Sequence, residues 1–134
     1  MTVYLLDTNI VSDLIRNPQG AAAGKLAGVG ETNVATSIVV AAELRFGAIR
    51  KGSERLTRQL DAVLRLLPVL ALDGDADIRY GMVRTELERL GTPIGGNDML
   101  IAAHALSLGA ILVTDNTREF ERIAGLPLEN WLRA

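Results

Sequence analysis

Four acidic side chains stand at points where a folded chain could bring them together. Asp7 and Asp115 each follow a short apolar run, and Glu43 and Asp98 each lie in a helix-like segment that comes after a turn. In a parallel α/β sheet these positions converge on one edge, at the carboxyl ends of the strands. Carboxylates crowded together repel one another unless a proton or a cation neutralises them. The pattern therefore predicts an all-oxygen site for a hard cation such as Mg²⁺ or Mn²⁺.

Such a site has a definite chemistry. A carboxylate-bound Mg²⁺ or Mn²⁺ lowers the pKa of a bound water, stabilises a phosphoryl transition state and holds the attacking and leaving oxygens in line. One metal suffices for the first two roles, whereas four acids would also allow a second metal about 4 Å away. The residues thus favour hydrolysis of a phosphodiester.

Glu43 and Asp98 are the most telling of the four acids, because no cation lies three or four positions away on either helix. The neighbours of Glu43 at that spacing are Val39, Val40, Phe46 and Gly47; those of Asp98 are Ile94, Gly95, Ile101 and Ala102. Burying an unpaired carboxylate costs several kcal/mol. The plainer alternatives are that Glu43 reaches water at the edge of an apolar stripe and that Asp98 complements a helix dipole.

Ordinary structural roles are also open to the remaining polar residues. Asp7 could cap the helix that follows it. Asn116 and Glu119 have the spacing of a capping box, so Asp115 and Asn116 could serve only to start a short helix. His104 is the single histidine, six positions beyond Asp98, and we expect it to be a packed or surface side chain rather than a general base.

The elements that must position these acids alternate along the chain. Apolar runs predict strands at residues 3–6, 34–35, 69–72, 110–113 and 128–131. Capping residues and periodicity predict helices at residues 8–16, 19–29, 38–51, 54–67, 73–90, 98–108 and 118–123. Strands that are apolar throughout are typical of a parallel sheet covered by helices on both faces. We predict an α/β fold, with residues 1–134 forming one domain.

Composition limits the other possibilities. The chain is 49% hydrophobic but only 4% aromatic, which indicates an aliphatic core, and it has no cysteine for disulfides or thiolate metal sites. A strand-like start without a signal peptide, and no apolar run long enough to span a bilayer, predict a soluble, cytoplasmic protein with no membrane partner. A net charge of −2 argues against indiscriminate nucleic-acid coating. A local basic cluster remains, either as a contact surface or as a solvated helix face: Arg45, Arg50, Lys51, Arg55 and Arg58.

At this point the chain resembles a known family. Its motifs, taken in order, are Asp7-Thr8-Asn9, Ala42-Glu43-Leu44-Arg45-Phe46-Gly47, Gly96-Asn97-Asp98, the segment 112–120 and the closing Glu129-Asn130-Trp131. Together they look like the PIN-domain nucleases and, more narrowly, the VapC toxins of bacterial toxin–antitoxin pairs. The resemblance implies a PIN-like three-layer α/β/α sandwich with a central, mostly parallel sheet.

The same resemblance implies an activity and partners. It implies a Mg²⁺- or Mn²⁺-dependent endoribonuclease, often acting on tRNA, that is usually a homodimer and assembles further with a VapB-type antitoxin. Asp7 and Asp98 would be primary metal ligands, and Glu43 a ligand or a positioner of metal-bound water. Thr8 and Thr114 would orient the site. The fourth catalytic position falls at Asp115 or at Asn116.

Three other functions fit these residues less well. A haloacid-dehalogenase-like phosphatase also begins with an acid after its first strand, but it needs a second acid where this chain has Asn9. A receiver-like signalling domain needs paired acids near the first strand, which are absent here. A catalytically inactive PIN-like binding or regulatory domain would not require Asp7, Glu43 and Asp98 together.

Overall fold

A parallel sheet with its first strand in the middle organises the molecule. The computed structural model describes residues 2–133. The strands are β1 (Tyr4–Leu6), β2 (Val34–Ser37), β3 (Val69–Leu70), β4 (Ile111–Val113) and β5 (Leu128–Glu129). Their order across the sheet is β3-β2-β1-β4-β5, and every neighbouring pair is parallel. The fold is therefore the predicted α/β sandwich.

Seven α-helices flank this sheet within residues 2–133. They are α1 (Thr8–Arg16), α2 (Ala21–Val29), α3 (Ile38–Lys51), α4 (Glu54–Leu66), α5 (Ala76–Leu90), α6 (Gly96–Leu108) and α7 (Thr117–Phe120). A short 3₁₀ helix, Glu31–Asn33, precedes β2. In the described part of the chain, no helix is long and apolar enough to cross a membrane.

Several predicted boundaries shift, each for a local reason. Helix α5 begins at Ala76 rather than at Asp73, because Gly74 has a φ of +64° that a helix cannot contain. Helix α6 begins two residues earlier than predicted, since the Met99 amide already donates to the Gly95 carbonyl. Helix α7 ends at Phe120, and β3 and β5 are shorter than predicted.

The core is aliphatic, as the composition predicts. Leu5, Leu6, Leu112 and Val113 on the two central strands are fully buried, and so is Phe120 on α7. Full burial of a side chain of this size contributes about 1.5–3 kcal/mol. The core fixes β1 and β4 side by side, with Leu6 opposite Val113. The residues that follow the two strands must therefore emerge next to each other.

Strand order also determines where a ligand would bind. From β1 the chain proceeds outward to β2 and β3, then returns to place β4 and β5 on the other side of β1. This reversal makes a crevice at the carboxyl ends of β1 and β4, the usual ligand site of open α/β sheets. Asp7 and Thr114 directly follow those two strands.

Candidate active site

Asp7 is both a helix cap and a buried acid. It is the N-cap of α1, and its Oδ1 accepts a hydrogen bond from the Thr8 amide at 2.8 Å. Its Oδ2 accepts from the Thr114 hydroxyl at 2.7 Å, and the side chain is only 4% exposed. Burial raises the pKa of Asp7, the two hydrogen bonds oppose this shift, and the charge of Glu43 adds to it. Capping alone would not require an acid at such a desolvated position.

Glu43 reaches the same place from α3. Its Oε1 accepts a hydrogen bond from the Thr8 hydroxyl at 2.7 Å, and its Oε2 accepts from the Asn97 side-chain amide at 3.5 Å. Thr8 therefore contacts both acids, donating to Asp7 through its amide and to Glu43 through its hydroxyl. The apolar residues that neighbour Glu43 on α3 do not all face the core. Phe46 is 64% exposed, because α3 turns Val40, Ala41 and Ala48 to the core instead.

Asp98 lies in the first turn of α6, close enough to the other acids to interact with them. The pKa of Asp98 is raised to about 6, first by burial and then by the charges of Asp7, Glu119 and Glu43. A Cβ at Gly95 would lie 3.4 Å from Oδ2 of Asp98, so glycine there leaves room for this carboxylate. A helix dipole stabilises a charged acid and would lower its pKa, which is the opposite of the shift found.

The segment after β4 departs from the sequence-based prediction. Asp115 turns to the chain's end, where its Oδ1 accepts from Asn130 Nδ2 and Arg133 Nε, each at 2.9 Å. These hydrogen bonds, Asn130 first, lower the pKa of Asp115. The structure thus gives Asp115 partners of its own and does not bring it to the other acids. The expected capping box is also absent, since Asn116 has a φ of −96° and a ψ of 48° and makes no side-chain cap bond.

Asn116 and Glu119 instead form a contact between their side chains. Asn116 Nδ2 donates to Glu119 Oε2 at 3.0 Å, while the Asn116 amide donates to the Thr114 hydroxyl at 3.0 Å. After burial and the charge of Asp7, the charge of Glu119 contributes to the raised pKa of Asp98, so Glu119 is a fourth acid in the surroundings of this crevice. Sequence reasoning missed its role, although its place four residues after Asp115 on a short helix was a usable signal.

Asn9 and the pair formed by His104 and Ser37 support the elements around the crevice. Asn9 accepts a hydrogen bond from the Asp115 amide at 3.0 Å, which ties the turn after β1 to the turn after β4. His104 is confirmed as a packed side chain, 1% exposed, with Nδ1 2.8 Å from Ser37 Oγ. Burial lowers the pKa of His104. Ser37 also caps α3 by accepting from the Val39 amide, so the histidine supports the start of the helix that carries Glu43.

The electrostatics of the crevice point toward a cation. Within residues 2–133, no lysine or arginine forms an ion pair with Asp7, Glu43, Asp98 or Glu119. No three acids or histidines in that range lie close enough together to form a complete metal cage as they stand. Mg²⁺ does not need one, because it keeps several waters and binds proteins through one or two carboxylates. The donor set, carboxylate oxygens supported by hydroxyls, suits such an ion.

Comparison with known proteins agrees with this geometry. The profile of the PIN domain family matches residues 4–126. Among curated proteins, Ribonuclease VapC2 of Rickettsia felis is 40% identical over 131 residues, which cover 96% of this chain and 98% of that protein. The tRNA(fMet)-specific endonuclease VapC of Shigella flexneri is 38% identical over 132 residues, covering 98% of this chain and 99% of that protein.

Solved structures give the same result for the fold. The crystal structure of VapBC2 from Rickettsia felis, bound to a DNA fragment from its promoter, contains a chain that superposes on this one with a TM-score of 0.90. The two chains share 39% identity, and the match covers 97% of this chain and 99% of that one. From the order of its strands, its converging acids and these relatives, the chain belongs to the PIN domain family and, within it, to the VapC ribonucleases.

Proposed function

We propose that this chain is an endoribonuclease that hydrolyses RNA phosphodiesters with a bound Mg²⁺ or Mn²⁺ and acts as the toxin of a toxin–antitoxin pair. Residues 1–134 would act as a single nuclease domain. The observation that carries the proposal is the placement of Asp7, Glu43, Asp98 and Glu119 around one crevice, with no lysine or arginine of residues 2–133 paired to them. Burial first, and then the charges of the other three acids, raise the pKa of Asp98 to about 6. Four such acids are costly for the fold and useful for binding a metal.

The proposed division of labour follows from the hydrogen bonds. Asp7 and Asp98 would hold the metal, with Glu43 as a further ligand or as the group that orients a water. When bound, Mg²⁺ supplies a more acidic water and a positive charge against the phosphoryl transition state. Thr114 fixes one oxygen of Asp7, and Thr8 holds Asp7 and Glu43 in register with each other. Such supporting hydrogen bonds fix the orientation of metal ligands.

The fourth acidic position is better filled by Glu119 than by Asp115. The charge of Glu119 contributes to the raised pKa of Asp98, whereas the carboxylate of Asp115 accepts hydrogen bonds from Asn130 and Arg133. Asn116 would act as the support of Glu119, through the hydrogen bond from its side-chain amide. We therefore propose that Asp115 holds the segment 130–133 against the turn after β4, and that Asn116 positions the side chain of Glu119.

The names of the relatives guide the choice of substrate and partner. The Shigella flexneri relative is named a tRNA(fMet)-specific endonuclease, and the Rickettsia felis toxin is seen in a VapBC assembly. We accordingly propose tRNA as the substrate class and a VapB-type antitoxin as the partner, with a homodimer of this chain inside the larger assembly. An antitoxin that covers the acidic crevice would block the access of RNA.

The other functions are not favoured by the geometry. A phosphatase of the haloacid-dehalogenase type needs a second acid where Asn9 stands, and Asn9 is engaged with the Asp115 amide. An inactive binding domain would gain nothing from a desolvated Asp7 and a repelled Asp98.

The test is RNA cleavage by purified wild type and Asp98→Asn in Mg²⁺, in Mn²⁺ and in EDTA, with bulk tRNA and total RNA as substrates. We expect cleavage by the wild type in either metal, and none in EDTA or by Asp98→Asn. Cleavage in EDTA, or equal cleavage by both proteins, would refute the mechanism. The antitoxin is tested with the gene next to the one that encodes this chain. Its co-expression should restore growth of a host arrested by the wild type. If the protein encoded by that neighbouring gene does not bind this chain, the proposed antitoxin partnership is refuted.

A further inference from the structure

A groove leads away from the acidic crevice between α1, α3 and α4. Thr8 and Glu43 stand at one end of it, and the volume enclosed is about 300 Å³. Ile15, Leu44 and Leu60 also line it. The groove is therefore continuous with the proposed active site, because the two share Thr8 and Glu43.

Two cations line this groove from different helices. Arg16 ends α1 and Lys51 ends α3, and both side chains are exposed. Neither forms an ion pair within residues 2–133. A position in the last turn of a helix complements the dipole, but Arg50 does the same on α3 without lining the groove.

The rest of the basic cluster singled out in the sequence is used differently. Arg45 pairs with Asp61, and Arg58 lies 3.9 Å from Glu54. Of the five residues in that cluster, Lys51 is the one that lines the groove. Its companion there is Arg16, which lies 35 positions away in the sequence and was not part of the cluster.

We propose that Arg16 and Lys51 bind backbone phosphates of the RNA strand on one side of the scissile bond and so position that bond at Glu43. This inference rests on the proposed ribonuclease function. It identifies the groove between α1, α3 and α4 as the surface along which the RNA strand binds. Both residues are positioning residues, since neither reaches the acids themselves. Their contacts are with the sugar–phosphate backbone and are independent of base sequence.

Electrostatics explain why such a pair is needed. A crevice of four acids in a chain of net charge −2 repels a polyanion. Cations placed along the approach lower that barrier locally and release counterions from the RNA. Arg16 and Lys51, which form no ion pair within residues 2–133, supply this attraction along the groove without neutralising the acids that would hold the metal.

The experiment measures RNA binding separately from RNA cleavage. In an Asp98→Asn background, a fluorescently labelled single-stranded RNA oligonucleotide is titrated at several salt concentrations, with and without Arg16→Gln and Lys51→Gln together. Each phosphate contact to a single strand contributes about 0.7 to the slope of log affinity against log salt. We expect the slope to become shallower by about 1.4, and the affinity near 0.1 M salt to fall about fivefold for each cation lost.

A matched control removes the same charges elsewhere. Lys25 and Arg65 are exposed, form no ion pair within residues 2–133 and do not line the groove. Lys25→Gln with Arg65→Gln should leave the slope unchanged. With Asp98 restored, Arg16→Gln with Lys51→Gln should raise KM for a short RNA while kcat stays close to that of the wild type.

The outcomes are separable from those of the proposed function. An equal salt slope in the groove and control variants would overturn the inference even if the wild type cleaves RNA. If the groove variant keeps its RNA affinity but loses affinity for the neighbouring gene's product, the groove is a protein-docking surface and the inference also fails. Absence of metal-dependent cleavage by the wild type would instead refute the ribonuclease function itself.

Discussion

Two groups of carboxylates in this molecule have opposite surroundings. On α5, Glu88 lies 2.9 Å from Arg84 and Glu86 lies 2.6 Å from Arg89, each pair three or four positions apart. The hydrogen bond from Arg89 holds the pKa of Glu86 below its ordinary value. In the crevice, Asp7 and Asp98 have no basic partner within residues 2–133. Burial first, and then the charges of neighbouring carboxylates, raise the pKa of each.

The presence or absence of a basic partner distinguishes the exposed acids of α5 from the acids of the proposed active site. Exposed ion pairs one turn apart form from local sequence, and they contribute little because water screens them. The crevice acids come from the end of β1 and from α3, α6 and α7, so only the folded chain brings them together. Without a bound metal, these unpaired acids raise the free energy of the folded protein. A bound cation would neutralise them, which explains why they are placed together.

The sharpest way to test this contrast is to remove one acid from each group. We expect Asp7→Asn to lower the rate of RNA cleavage more than about 100-fold, because it removes a proposed metal ligand. Glu86→Gln should leave the rate unchanged. Cleavage is measured on the same tRNA substrate in Mg²⁺, with circular dichroism as the check on folding. Equal activity of the two variants would mean that the crevice acids are no different from those on α5.

The next effect concerns the support of Asp7. Thr114→Val keeps the shape of the side chain but removes the hydroxyl that donates to Asp7 Oδ2 and accepts from the Asn116 amide. We expect a loss of about 10- to 100-fold in activity, the usual cost of losing a group that orients a metal ligand. Thr114→Ser retains the hydroxyl and should recover most of the rate. If serine performs no better than valine, packing at this buried position matters more than the hydrogen bond.

The fourth acid can be assigned by comparing two residues close together in the chain. Glu119→Gln should reduce activity about tenfold, since one charge facing Asp98 is lost while the amide preserves shape. Asp115→Asn should leave activity near that of the wild type, because its carboxylate binds Asn130 and Arg133 rather than the crevice. Steady-state cleavage rates decide the matter, and the reverse order would restore Asp115 as the catalytic residue.

The smallest effect is on stability without metal. Because Asp98 has a pKa of about 6 in the folded protein against an ordinary 3.8, the folded state holds this proton more tightly than the unfolded state. Stability from this group is present below about pH 4 and is lost as the pH rises through about 6. Above pH 6 we expect Asp98→Asn to be about 1–2 kcal/mol more stable than the wild type in EDTA, allowing for solvent screening.

Urea unfolding between pH 4 and pH 8 measures this difference. The decline with rising pH should be smaller in Asp98→Asn, with the raised pKa of Asp7 causing the part that remains. Saturating Mg²⁺ should reverse the order above pH 6, because the wild type binds the ion and the variant does not. A wild type that is the more stable protein in EDTA at pH 8 would show that the acids do not repel as described.

Much of the fold could be predicted because its signals are local. The apolar runs around Leu5 and Leu112 indicate strands buried on both faces, and the helix predicted at residues 38–51 is α3, capped by Ser37. The predicted start of a helix was wrong where a backbone torsion interrupts the helical pattern, as at Gly74 before α5. The suggested capping box at Asn116 was also wrong, because its side chain donates a hydrogen bond to Glu119 instead of capping α7. Hydrophobic patterning does not encode such details of a turn.

The sequence by itself determined the alternation of strands and helices, the aliphatic core and the choice of Asp7, Glu43 and Asp98. These follow from side-chain periodicity and from the absence of a cation within one helical turn. Only the tertiary structure decided that the charge of Glu119, and not that of Asp115, contributes to the raised pKa of Asp98, and that Arg16 and Lys51 line one groove with Glu43. The physical reason is that these neighbours are made by the order of the strands and the packing of the helices, which bring together residues far apart in the chain.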